Sequence, residues 1–281
     1  MLVATRRASA YNRGMSTAFA RSSAALRARV ALALAALLFA SCSPASEHDA
    51  RSVVRVAVAA NFARTASELE QRFELAEPHV DVELSVGSTG ALYAQIVNGA
   101  PFDVLLAADR ERPAKLVEEG RASLAQPYAV GRLALVGAEL AGVQASTREE
   151  FAALLRAPHV RNVALANPDT APYGVAALEV LDTLGLRAEL EPRLARGLDV
   201  GQAHQFAVSG AAEFAFVALS QALAEPSLPH VAVPAAWHAP VAQDAALLTE
   251  SAAARDFLDF LASTDARAVL EANGYALPDA P

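Results

Sequence analysis

The chain has 281 residues, 54% apolar and only 6% aromatic, so its core must be built largely from Ala, Val and Leu, and its length suits two α/β lobes. The first 41 residues hold six arginines and no acid; the remainder carries 17 basic against 31 acidic residues, a formal charge of −14. So acidic a body argues against nucleic acid and anionic membrane surfaces as partners, and any bound anion must be held by local dipoles.

In chain order, residues 1–41 have the pattern of an export signal. Arg27 and Arg29 precede an apolar stretch from Val30 to Phe39, the length of a signal core and too short to span a bilayer. Leu38-Phe-Ala-Ser41-Cys42 resembles a bacterial lipobox, which makes Cys42 the expected lipidation site. Cys42 is the only cysteine, which excludes an internal disulfide. The expected tether, residues 42–52, is polar from Ser43 to Ser52 and includes Pro44; those ten residues reach at most roughly 33–36 Å when extended. Met15 is an alternative start, which would leave Arg6-Arg7 untranslated.

Val53 to Ala59 is a predicted strand, followed by Ala60-Asn61-Phe62 and a helix with Phe62, Ala66, Leu69 and Phe73 on one face. Val80 to Val86 alternates as a half-buried strand. Gly87-Ser88-Thr89-Gly90 then opens a helix that Gly99-Ala-Pro101 stops, and Phe102 to Ala107 suits a buried parallel strand. Asp109 is expected to cap the next helix. The β-α-β-α-β-α order predicts a parallel sheet with helices on both faces. Thr147-x-x-Glu150 predicts a capping box, Val163 to Ala166 and Phe214 to Leu219 buried strands, and Ser251–Leu261 and Ala266–Ala272 the last helices. Two crossings, near Gln126–Gly131 and Pro234–Trp237, divide the body into lobe I (53–130 plus 237–281) and lobe II (131–236), with a cleft at the C-terminal strand ends.

Four predicted strand-to-helix turns share one chemistry: Ala60-Asn61-Phe62, Gly87-Ser88-Thr89-Gly90, Ala171-Pro172-Tyr173-Gly174 and Asp199-Val200-Gly201. Each offers small or polar residues and free amides at the positive end of a helix dipole. Converging on a cleft, they would surround a tetrahedral oxyanion with donors and use no Lys or Arg; Lys115 is the only lysine. Desolvating a dianion demands that each oxygen be hydrogen-bonded, which two or three donors per turn can satisfy. A selective phosphate site needs an acceptor carboxylate, and the turns offer only Asp199, which reads as a helix cap. Sulfate differs from larger oxyanions mainly in size, so it stays open. An exported hydrolase is the reading from another class; the six histidines show no H-E-x-x-H spacing, and no G-x-S-x-G elbow is present.

VAVAANF, VGSTGALYAQIVNGAPFDVLLAADRERPAKLVEEG, ANPDTAPYGVAALEVLDTLG and VGQAHQFAVSGAAEFAFVALSQ resemble the periplasmic molybdate-binding component of the molybdate ABC importer, from Val53 to the C-terminus. The resemblance implies a two-lobe type II periplasmic binding-protein fold, each lobe a mostly parallel sheet flanked by helices. It implies a monomeric receptor without cofactor that binds molybdate or tungstate and delivers it to an inner-membrane permease. By position it places ligand contacts on Ala60, Asn61, Ser88, Tyr173 and Val200, with no protein side chain bonded to the metal. Thr89 is a further candidate donor. Many members have two serines at Ala60-Asn61, and some supply a tyrosine where this chain has Ala218. Tyr173 is therefore the one tyrosine expected near the cleft.

Overall fold

The computed structural model describes residues 51–278; the expected signal segment and Cys42 lie outside them. Strand β1 (Ser52–Ala59), SVVRVAVA, is buried from Val56 onward and pairs in parallel with β2 (Val80–Gly87) and β3 (Val104–Leu106). Strand β10 (Val241–Leu247) runs antiparallel between β3 and β4 (Leu124–Gly131), giving the order β2-β1-β3-β10-β4. The second sheet repeats that plan: β7 (Leu194–Gly197), β6 (Val163–Ala166) and β8 (Phe214–Ala218) are parallel. Strand β5 (Leu133–Val136) runs against both β8 and β9 (His230–Ala232), giving the order β7-β6-β8-β5-β9. In each sheet the odd strand, β10 or β5, enters directly after a crossing between lobes.

Helix α1 (Ala63–Ala76) continues from a 3₁₀ turn at Ala60–Phe62 and buries Thr65, Ala66, Leu69 and Phe73, a one-sided stripe against β1 and β2. Helices α2 (Thr89–Val97) and α3 (Glu111–Glu118) cover the other face of the first sheet, around Leu92, Leu105 and Leu116. Helix α4 (Arg148–Leu155) begins at the expected capping box: Thr147 Oγ1 accepts from the Glu150 amide at 3.3 Å, and the Glu150 carboxylate accepts from the Thr147 amide at 3.0 Å. Helices α5 (Pro172–Thr183), α6 (Arg187–Leu190), α7 (Val200–Val208) and α8 (Leu219–Ala224) belong to the second sheet, and α9 (Ala252–Phe260) and α10 (Thr264–Ala272) pack back on the first. Gly99 (φ 89°) and Gly185 (φ 65°) end α2 and α5 in the left-handed region where a Cβ is strained.

Local expectations shift in three places. Strand β1 starts at Ser52, inside the segment expected as tether. Strands β4 and β7 were not foreseen: β4 contains Pro127, tolerated because β4 is an edge strand with a bulge opposite Gln243/Asp244. Trp237, expected to open the return to lobe I, stacks edge-on against Phe151 at 4.9 Å in the second core. Asp109 does cap α3, its Oδ1 accepting from the Arg112 amide at 3.0 Å.

Candidate functional site

Each turn is built by its local sequence. Ser88 is the N-cap of α2, extended at φ −69° and ψ 146°, with Oγ accepting weakly from the Ala91 amide at 3.4 Å. Its own amide has no protein acceptor among the described residues. Pro172 opens α5, where a missing N–H costs nothing, and leaves Tyr173 in the first turn. Asp199 caps α7, its Oδ1 accepting from the Gln202 amide at 2.9 Å, which turns the carboxylate toward its own helix.

The structure brings all four turns to one cavity of about 10 Å³, on the order of the space one water molecule needs. Its walls include Ala60 and Asn61, Ser88 and Thr89, Tyr173, and Asp199 with Val200; Ala108 closes a further side. Asn61, Ser88, Thr89, Tyr173 and Val200 are all buried. Larger open grooves, 370 and 450 Å³, flank it on the cleft's two sides. The lobes touch around the cavity: the Gly90 amide donates to the Thr170 carbonyl at 2.8 Å, and Ser220 Oγ to the Asn61 carbonyl at 3.0 Å. Arg112 packs beside Gly90 but is paired with Asp109, so it does not line the cavity.

The sequence reading missed a layer of side chains behind the first turn. Gln243 of β10 is completely buried. Its Oε1 accepts from Tyr128 Oη at 2.9 Å and Asn61 Nδ2 at 3.1 Å, and its Nε2 donates to Tyr173 Oη at 3.3 Å. Tyr275 Oη donates to the Asn61 carbonyl at 2.8 Å and contacts Ser220 Oγ at 3.0 Å. Phe62 holds both outer tyrosines edge-on, with ring centroids 4.9 Å from Tyr128 and 5.2 Å from Tyr275. Tyr173 is therefore not the one tyrosine near the cleft; Tyr128 and Tyr275 stand one layer behind it. The Asn61 side-chain amide is committed to this layer, which leaves the backbone as the turn's free donor. Thr89 Oγ1 accepts from the Ala108 amide at 3.0 Å and fixes the second turn to β3. Burial pushes the Tyr128 and Tyr173 hydroxyls well above their ordinary pKa, with neighbouring Tyr275 adding to the rise, and pushes Tyr275 up to about 12. All three remain protonated donors through neutral pH.

This arrangement can hold a small anion by oriented neutral dipoles, with the Asp199 carboxylate turned to its own helix. Among the described residues, no group of three or more His, Cys, Asp and Glu side chains is placed to hold a metal ion, and no helix is long and apolar enough to cross a membrane.

Molybdate-binding protein ModA of Azotobacter vinelandii is 40% identical over 257 residues, spanning 89% of this chain and 97% of the relative. Its counterpart in Rhodobacter capsulatus is 41% identical over 227 residues, 79% of this chain and 87% of the relative. The solved Azotobacter vinelandii periplasmic molybdate-binding protein superposes with a TM-score of 0.72 at 36% identity, covering 80% of this chain and all of that one. Residues 54–276 match the family described as bacterial extracellular solute-binding protein, and this chain, with its two five-stranded sheets flanked by helices, belongs to that family.

Proposed function

We propose that this chain is an exported receptor that captures molybdate or tungstate and hands it to an inner-membrane ABC permease, working as a monomer without cofactor or catalysis. The observation that carries this reading is the convergence of four helix N-termini on one small cavity with Asp199 as the one charged side chain on its wall among the described residues. The amides at Ala60, Asn61, Tyr173 and Val200, the Ser88 amide and hydroxyl, and the Tyr173 hydroxyl would contact the oxyanion oxygens, with no protein atom bonded to the metal. The names of the Azotobacter and Rhodobacter relatives support the choice of ligand. In this reading lobe I (53–130 plus 237–281) and lobe II (131–236) close by a hinge motion at the two crossings. Residues 1–41 direct export, and a lipid on Cys42, followed by the 42–52 tether, holds the receptor at the outer face of the membrane.

Isothermal titration of residues 43–281 with molybdate, tungstate, sulfate and phosphate tests it. Tight binding of the first two alone is the expected result. Sulfate binding of comparable strength would assign the chain to a different importer, and no heat with any oxyanion would refute the receptor reading.

A further inference from the structure

A hydroxyl can present its proton or its lone pair to a ligand, and the difference decides which oxyanions fit. A fully ionised oxyanion needs donors only; a protonated one, such as hydrogenphosphate, also needs an acceptor for its own O–H. Tyr173 lines the cavity, and its hydroxyl has one proton to give and lone pairs to offer. A lone pair is occupied from behind by Gln243 Nε2 at 3.3 Å. The Gln243 amide is oriented in turn, because its Oε1 accepts from Asn61 Nδ2 at 3.1 Å and shares the single Tyr128 Oη proton with the Ala107 carbonyl, at 2.9 and 3.0 Å. No protein acceptor for the Tyr173 hydroxyl proton is found among the described residues. Gly131 makes the close approach possible: a Cβ there would lie 2.1 Å from Tyr173 Oη and 2.5 Å from Gln243 Nε2.

We propose that Gln243 is a positioning residue for specificity: by donating to Tyr173 Oη from behind, it fixes that hydroxyl as a donor toward the cavity and so takes the Tyr173 oxygen away as an acceptor for protonated oxyanions, while Asp199, another acceptor on the wall, is turned to the Gln202 amide. This rests on the receptor reading and assigns a role to a residue that does not line the cavity. In Gln243→Met, a swap of similar length that cannot donate, the Tyr173 hydroxyl is released to turn either way. Molybdate affinity then falls on the order of tenfold, about the worth of one hydrogen bond, and hydrogenphosphate affinity rises. Tyr128→Phe, which removes one hydroxyl that orients the Gln243 amide, shifts the ratio the same way by less and guards against a Gln243 variant that fails to fold.

The test is titration with molybdate and with phosphate at pH 6.5 for the wild type, both single variants, and each again in a Tyr173→Phe background. A changed molybdate-to-phosphate ratio in the single variants that disappears in the Tyr173→Phe background is the expected result. Equal weakening of both anions, no change, or an effect that persists without the Tyr173 hydroxyl would overturn the proposal and leave the receptor reading standing. A wild type that binds no molybdate would overturn both.

Discussion

The two lobes share a strand order and meet the cavity with the same device, yet they are furnished differently behind it. In the second lobe, the strands VALA of β6 and FAFVA of β8 are buried and apolar throughout; Tyr173 stands on its turn at the cavity, and Ser220 brings a hydroxyl to the layer behind the turns. In the first lobe, Asn61 and Gln243 join Tyr128 and Tyr275 in a hydrogen-bonded layer held in place by the ring of Phe62. The second lobe offers an apolar seat for its turns; in the proposed receptor the first lobe would set the direction in which hydroxyl protons point. Helix N-termini would then supply the affinity of the site, and the polar layer behind them its orientation.

Breaking the junction of the two lobes has the largest expected effect. Gly131→Ala puts a methyl against Tyr173 Oη and Gln243 Nε2 where β4 leaves the first sheet. The lobes then cannot close as they do here, and oxyanion affinity should fall on the order of 100-fold, about 3 kcal/mol, by titration calorimetry. Wild-type affinity in a folded Gly131→Ala protein would show that this contact is not part of the binding state.

Ser88→Ala removes a first-lobe donor and sharpens the comparison by asking how much the turns contribute alone. Binding should weaken by roughly 1.5–3 kcal/mol, the range for hydrogen bonds to a charged group, while thermal stability drops by only about 0.5–1 kcal/mol because the cap contact is long. The second-lobe counterpart goes the other way. Asp199→Asn keeps a good N-cap but removes a negative charge from the cavity wall. Affinity should rise by up to about 1 kcal/mol at low salt; a loss would mean the carboxylate orients the α7 amides in a way asparagine does not.

The polar layer has its own signature in pH. The folded state favours the neutral form of Tyr128, Tyr173 and Tyr275, whereas unfolded tyrosine ionises near pH 10. Their raised pKa values therefore leave stability intact below about pH 10 and reduce it as pH climbs from there toward 12. Urea midpoints should be level at pH 7–9 and fall above pH 10, and oxyanion affinity should stay constant between pH 6 and 9. An alkaline loss of stability that Tyr275→Phe does not lessen would locate the titrating group elsewhere.

The turns were legible because each is written in consecutive residues: a strand ending, a small or hydroxyl residue, then a helix. Ser88 and Asp199 are N-caps by spacing alone, and Thr147 with Glu150 announces α4 in four letters. The layer behind them was not legible. Gln243 is one of two polar residues, beside Asp244, in an otherwise apolar strand, and its partners Tyr128 and Asn61 lie 115 and 182 positions away in sequence. Tyr275 meets Asn61 across 214 positions. Strand β4 was hidden for a related reason: Pro127 argues against a central strand, and only the sheet order reveals that β4 is an edge where proline is tolerated. Local capping chemistry is visible in one sequence; pairing that depends on topology is not.

The most direct test of the account is the position of a tungstate ion in a crystal of residues 43–281, read from its anomalous scattering. A single site in the small cavity is expected, with the ion's oxygens within hydrogen-bond distance of Ser88, Tyr173 and the Val200 amide and no charged side chain in contact. An ion seated instead in either flanking groove, against Arg64 or Arg110, would contradict capture by neutral helix N-termini.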